Sequence, residues 1–198
     1  MNYFAFLYNF FANMFKKETK HVINKLVCFH SFTSGMGTSA VVNTFINRAE
    51  CKSGFNIGRS VTEIRQYMFY GQLLVCDTPF NDKLEVIKGI KIIFVITFNV
   101  SLERISEYEI NEMKKFVKKN PNMHYGIVVN KASKNLKNNE KKLYNILYNI
   151  LYDDKKENMT DKMSLFIMDY CDELDDGLID IHPNGDLMKK FVESVKYN

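Results

Sequence analysis

The sequence predicts an α/β domain: a mostly parallel sheet with helices on both faces. Two observations carry that expectation. From residue 24 onward, short apolar runs alternate with amphipathic stretches. The first run is followed by a tight loop of small residues and then by a helical pattern, the order expected where a sheet presents a ligand at the carboxyl ends of its strands.

The elements follow in order. Residues 25–30 read as a buried strand and 31–37 as the small-residue loop. Residues 39–48 read as a helix with Val41, Val42, Phe45 and Ile46 facing inward. A Gly-, Ser- and Asn-rich linker spans 53–60, and 64–70 and 72–76 are two strands joined at Gly71. The continuous apolar run at 91–98 suits a strand covered on both faces. Residues 101–119 read as one helix with Leu102, Ile105, Tyr108, Met113, Phe116 and Val117 as its apolar positions. Residues 125–130 are another buried strand. Residues 136–152 are one helix with Leu143, Ile146, Leu147, Ile150 and Leu151 at helical spacing. A last strand at 165–168 and a last helix at 187–195 complete the pattern, with no internal repeat.

A chain of 198 residues suits one domain with a short appendage. Its hydrophobic fraction of 46% and charged fraction of 25% are those of an ordinary globular protein. The net charge of +4, with lysines dispersed among acids, gives no clustered basic face, so nucleic acid is not an expected partner. Cys28, Cys51, Cys76 and Cys171 form no CxxC pair and suggest neither zinc nor a disulfide framework. Cys28 and Cys76 lie in apolar runs and read as buried thiols of a reducing, cytoplasmic compartment.

Residues 1–20 stand apart from the domain at 21–198. Residues 3–15 are dominated by aromatic residues, with Asn2, Asn9 and Asn13 on one narrow helical stripe and Lys16 and Lys17 behind them. The segment lacks the charged start and cleavage site of a secretion signal. It reads as a helix that packs on the domain, as an interfacial helix on an internal membrane, or as a disordered tail.

Three pieces carry chemistry. The loop Phe32, Thr33, Ser34, Gly35, Met36, Gly37, Thr38, Ser39 falls on the pattern GxxxxGK[ST] of a phosphate-binding P-loop. There the glycines let backbone N–H groups turn inward around an anion, and the helix N-terminus adds partial positive charge. Gly35, Gly37 and Ser39 sit at the expected places, whereas Phe32 replaces the first glycine and Thr38 the lysine. Taken alone, the loop also fits a plain Gly/Ser turn. The second piece is an apolar strand ending in Asp77, Thr78 and Pro79, as GTPases place an aspartate near magnesium; Phe80 stands where a glycine is usual. The third is Asn130, Lys131, Ala132, Ser133 after a strand, resembling the guanine motif NKxD with serine in place of its carboxylate. Charge-assisted hydrogen bonds contribute roughly 1.5–3 kcal/mol each, so guanine selectivity suffers by that order. Each piece follows a strand in the right order, which predicts a P-loop NTPase with a Ras-like G domain. Thr62 falls where a switch threonine would meet magnesium and the γ-phosphate.

Residues 34–46, SGMGTSAVVNTFI, resemble the segment GKTGAGKSATGNSIL of the immune-associated nucleotide-binding GTPases, the GIMAP or AIG-type family. Residues 60–62 match their SVT, and 95–106 resemble the strand–helix region ahead of their conserved box. The resemblance covers roughly residues 24–133. It implies guanine-nucleotide (GTP/GDP) binding with Mg2+, slow hydrolysis, nucleotide-dependent self-association through the nucleotide face, and frequent attachment to internal membranes. Carried over by position, Ser34, Gly35, Met36, Gly37, Thr38, Ser39 and Ala40 would wrap the phosphates. Ser39, Thr62 and Asp77 would serve magnesium, Thr62 would also meet the γ-phosphate, and Asn130 and Lys131 would hold the base. No residue is assigned to orient an attacking water.

Two functional readings follow: a GTP-binding switch or assembly unit with weak or absent hydrolysis, and a pseudo-GTPase scaffold that holds no nucleotide. A small P-loop kinase fits less well, because such enzymes also depend on the lysine missing at 38. For residues 1–17, deletion followed by liposome sedimentation separates the readings. Loss of sedimentation marks a membrane anchor, and equal sedimentation marks packing on the domain.

Overall fold

In this computed structural model the described residues are 25–33, 35–51, 66–70, 73–78, 84, 86, 88–99, 104–152, 162–171 and 181–198. The aromatic segment 1–20, the linker 53–60, Ser34 and Thr62 lie outside them. The elements are β1 (Leu26–His30), α1 (Thr38–Ile46), β2 (Gln66–Tyr70), β3 (Leu73–Thr78), β4 (Ile90–Asn99), β5 (Arg104–Ile105), α2 (Glu107–Lys119), β6 (Tyr125–Ala132), α3 (Lys134–Asn138), α4 (Glu140–Tyr152), β7 (Met163–Asp169) and α5 (Gly185–Ser194).

The sheet order is β2-β3-β1-β4-β6-β7. Strands β3, β1, β4, β6 and β7 run parallel, β2 pairs antiparallel with β3, and β5 pairs antiparallel with the end of β4. The central strands are buried along nearly their whole length because both faces are covered. Alternate residues serve opposite layers. Cys28, Ile92, Phe94, Ile96, Ile127 and Val129 pack toward Met113 and Val117 of α2 and Leu143, Leu147 and Leu151 of α4. Val27, Phe29, Ile93, Val95 and Val128 pack toward Val41, Val42 and Phe45 of α1 and Met188, Phe191 and Val192 of α5. Cys28 and Cys76 are fully buried in the first layer, as the sequence predicts.

Two helices differ from expectation. The one expected over 101–119 begins only at Glu107, because Ser106 adopts an extended backbone at its start. Ahead of it, Ile105 pairs with Phe98 in the sheet rather than lying on a helical face. The helix start carries Glu107 and Glu109, where negative charge is favoured by the helix dipole. The helix expected over 136–152 is two: α3 is capped by Ser133, whose Oγ accepts from Leu136 N–H, and the chain breaks at Asn139 before α4. Of the apolar positions in α4, Leu143, Leu147 and Leu151 are buried, whereas Ile146 is 46% and Ile150 39% exposed. One i, i+4 row meets the sheet and the neighbouring row does not. No described helix is long and apolar enough to cross a membrane.

Gly126 marks where α5 presses closest on β6. A Cβ there would lie 2.7 Å from Phe191 Cζ, 2.8 Å from Ile93 Cδ1 and 2.9 Å from Val195 Cγ2. Gly126→Ala therefore overpacks this layer and is expected to cost about 1–3 kcal/mol, read as a lowered denaturant midpoint with an unchanged slope.

Candidate functional site

The sheet topology brings β1, β3, β4 and β6 to one edge with their carboxyl ends side by side. Of the predicted residues, Gly35, Met36, Gly37, Thr38, Ser39, Ala40, Asp77, Asn130 and Lys131 lie toward that edge, whereas Ser34 and Thr62 lie outside the described residues. Gly35 has φ +79° and Gly37 φ +76°, left-handed conformations that glycine adopts without the steric cost of a Cβ. The chain thus turns on both sides of Met36 before entering α1. Asn130 at the end of β6 donates from Nδ2 to the Met36 carbonyl at 2.9 Å, and the Thr97 hydroxyl of β4 donates to the same oxygen at 3.3 Å. In a trans peptide the C=O and the following N–H point in opposite directions. Pinning the Met36 carbonyl toward Asn130 and Thr97 therefore aims the Gly37 N–H the other way. The first N–H groups of α1, from Thr38 to Ala40, add donors that a helix start leaves without intrahelical partners. Such a cluster of donors suits an anion.

Phe32 does not occupy this hollow. Its ring stacks on Phe94 at 5.3 Å and meets His30 edge-on at 5.1 Å, within the apolar layer that faces α2 and α4. The aromatic residue at the loop's first glycine position is thereby accommodated as core. Thr38 is 9% exposed at the first turn of α1 and brings a hydroxyl where the pattern has an ammonium.

Below the loop, Ser39 Oγ donates to Asp77 Oδ2 at 2.6 Å. Burial pushes the Asp77 carboxyl above its ordinary range, while hydrogen bonds from Ser39 and the Cys51 thiol act in the opposite direction. The Cys51 thiol is itself pushed up to about 12, chiefly by burial and then by the neighbouring Asp77 charge, so it stays a donor. Asn43 fixes its backbone: Oδ1 accepts from Cys51 N–H at 2.8 Å and Glu50 N–H at 3.1 Å, and Nδ2 donates to Cys51 O at 2.9 Å. No motif marks Cys51 for this role, since only the fold sets it beside Asp77.

A hydroxyl and a carboxylate are hard oxygen donors, the type magnesium prefers. Ser39 and Asp77 would hold it together with oxygens of a bound phosphate, and the bound ion would offset phosphate charge. Among the described residues no cluster of three or more His, Cys, Asp or Glu could hold a metal by itself. Lys131 follows Asn130 with φ +57°, at an irregularity between β6 and β7, and donates its N–H to Asn130 Oδ1 at 2.9 Å. Ser133 sits next along the same edge, its hydroxyl engaged in capping α3.

Glu109 escaped the sequence reading. It lies in the first turn of α2, 1% exposed, accepts the Thr97 backbone N–H, and has Oε1 3.5 Å from the Thr33 hydroxyl of the loop. Burial pushes its carboxyl up to about 7. The available signal was its place in a helix's first turn beside a second acid, which favours either position equally.

No protein-family model matches this chain and no curated protein sequence does. Solved structures do. A dimerization-deficient mutant of Toc33 from Arabidopsis thaliana superposes with a TM-score of 0.55 at 13% identity, covering 94% of this chain and 89% of that one. Toc33 in complex with Mg2+ and GMPPNP superposes with a TM-score of 0.52 at 12% identity over the same shares. At such identity the likeness is one of fold, and the chain has the fold of a P-loop NTPase with a Ras-like G domain.

The Glu109 environment fixes a pH dependence of stability. A carboxyl raised from 4.5 to about 7 holds a proton in the folded state that the unfolded chain has released. Its favourable contribution is full below the unfolded value and declines as pH rises through about 7. Relative to Glu109→Gln, which cannot ionise, the wild-type chain should lose up to about 3 kcal/mol between pH 5 and pH 8. Denaturant midpoints of both proteins across that range measure the difference.

Proposed function

We propose that this chain binds a guanine nucleotide, GTP or GDP, with Mg2+, and serves as a switch or assembly unit with weak or absent hydrolysis, as a divergent AIG-type G domain. The observation that carries the reading is the Ser39–Asp77 contact at 2.6 Å beneath a loop turned at two left-handed glycines. Toc33, which shares the fold, has been solved with Mg2+ and GMPPNP.

On this reading the N–H groups from Gly35 to Ala40 cradle the phosphates, with Ser34 contributing at the loop's near side. Ser39 and Asp77 hold magnesium with the phosphates, and Thr62 joins them from the segment between α1 and β2. Asn130 braces the loop, as its bond to the Met36 carbonyl supports, and Lys131 flanks the base. Guanine selectivity is low, because Ser133 offers a hydroxyl already engaged at α3 rather than a carboxylate. Hydrolysis is weak because Thr38 gives no charge to the β- and γ-phosphates as negative charge spreads in the transition state. The chain self-associates through its nucleotide face and works in the cytoplasm, with residues 1–20 touching an internal membrane surface.

The same Thr38 favours the competing reading, a scaffold without nucleotide. Titration with fluorescent GTP and GDP analogues, with and without magnesium, separates the two. Binding that strengthens with magnesium is expected, and its absence up to high micromolar concentration moves the assignment to the scaffold. Thr38→Lys restores one charge-assisted contact of roughly 1.5–3 kcal/mol and should tighten binding by about 10- to 100-fold.

A further inference from the structure

Among the described residues two carboxylates are buried, Asp77 and Glu109. Asp77 has a place in the metal site, and Glu109 has none. Yet Glu109 reaches the loop once directly, at Thr33, and once through Thr97 of β4. Its Oε1 is 3.5 Å from the Thr33 hydroxyl, and it accepts the N–H of Thr97, the residue whose own hydroxyl holds the Met36 carbonyl. A cavity of about 470 Å³ opens beside it, lined by Met36, Thr97, Asn99, Arg104 and Glu107 among others.

Among the described residues, the charges around Glu109 are few. The loop and β4 present the neutral Thr33 and Thr97, β5 presents Arg104 at the cavity, and α2 itself adds Glu107. From β1 comes His30, whose ring packs on Phe32 and Phe94. Among the described residues no ion pair includes Glu109. An ionised Glu109 therefore has no ion-pair partner among the described residues, next to a loop suited to anions and without a lysine at 38. Buried charges without a partner are strongly disfavoured, and a polyphosphate arriving above would disfavour this one further.

We propose that Glu109 is a positioning residue of the phosphate loop, and that the loop takes its anion with this carboxyl protonated, so that binding draws a proton from solvent. The step is a simple addition, carboxylate plus a buffer proton giving the carboxylic acid. The neutral acid keeps both contacts: its carbonyl oxygen accepts from Thr97 N–H, and its O–H donates to the Thr33 hydroxyl. With the free carboxyl raised to about 7, both forms are populated near neutrality and the coupling is measurable. This inference rests on the anion-binding reading of the loop given above.

The test is calorimetric titration of the full chain with Mg2+ and GMPPNP, from pH 6 to 8.5, in buffers of differing ionisation enthalpy. Proton uptake should approach one per ligand near pH 8 and fall toward zero near pH 6. The dissociation constant should weaken by up to about tenfold per pH unit above 7. Glu109→Gln keeps an acceptor for Thr97 and a donor for Thr33, so it should bind without proton uptake and with flat affinity across the range. Glu109→Ala, which loses both contacts, should bind more weakly at every pH, a defect that the glutamine variant does not share. Binding by the wild type without proton uptake, or a glutamine variant that retains the full pH dependence, overturns the proposal while leaving nucleotide binding intact. No binding at any pH overturns the nucleotide reading and this coupling together. Should the glutamine variant fail to fold, the wild-type uptake decides alone.

Discussion

The carbonyl of Met36 is the point on which the site turns. Held by Asn130 from β6 and Thr97 from β4, it fixes the direction of the peptide that follows and hence of the donor at Gly37. The restraint works only because parallel strands bring their carboxyl ends to one edge, so residues from separate strands reach the same loop. It also explains the glycine: a Cβ at Gly37 would lie 2.5 Å from Asn130 Nδ2. The glycine and the asparagine are a matched pair. The absent side chain lets the amide approach, and the amide sets the shape that the glycine's left-handed backbone permits.

Much of this was legible in the sequence, and for a definite reason. Apolar runs such as 91–98 have few alternatives to a doubly covered strand, and Gly35 and Gly37 between a strand and a helix constrain the backbone whatever surrounds them. Local context singles out Asn130, Asp77 and Ser39, and in the structure Asn130 reaches the Met36 carbonyl while Ser39 meets Asp77. Misreadings arose where tertiary contacts decide. Ile105 suits a helical stripe, but a short antiparallel pairing with Phe98 claims it first. Ile146 and Ile150 match the period of Leu143 and Leu147, yet periodicity cannot say how wide a stripe the sheet will cover. Glu109 and Cys51 were passed over because neither belongs to a motif. Their roles come from β4 and β3, neighbours brought close only by folding.

The altered positions divide into those the fold absorbs and those that change chemistry. Phe32 is absorbed: a ring stacked between Phe94 and His30 is ordinary core, and the backbone after it still turns at Gly35. Ser133, where the motif has a carboxylate, starts a helix. Thr38 changes the chemistry, since a hydroxyl can donate a hydrogen bond but carries no charge.

That last substitution shapes how the proposed site would work. With the lysine gone, the fixed positive charge that the described residues bring to the loop is that of the helix N-terminus, roughly half a unit, set against the buried Asp77 and Glu109. Magnesium would then be the main cation of the site, yet Ser39, Asp77 and, on the proposed reading, Thr62 offer it at most three ligands where six are wanted. Metal and polyphosphate therefore depend on each other, each supplying what the protein does not. A pocket so arranged favours joint binding of the pair over either alone. It gives little extra stabilisation to the charge that develops during phosphoryl transfer. Its state would change through exchange of the bound pair rather than through turnover, which suits a sensor or assembly unit better than an enzyme.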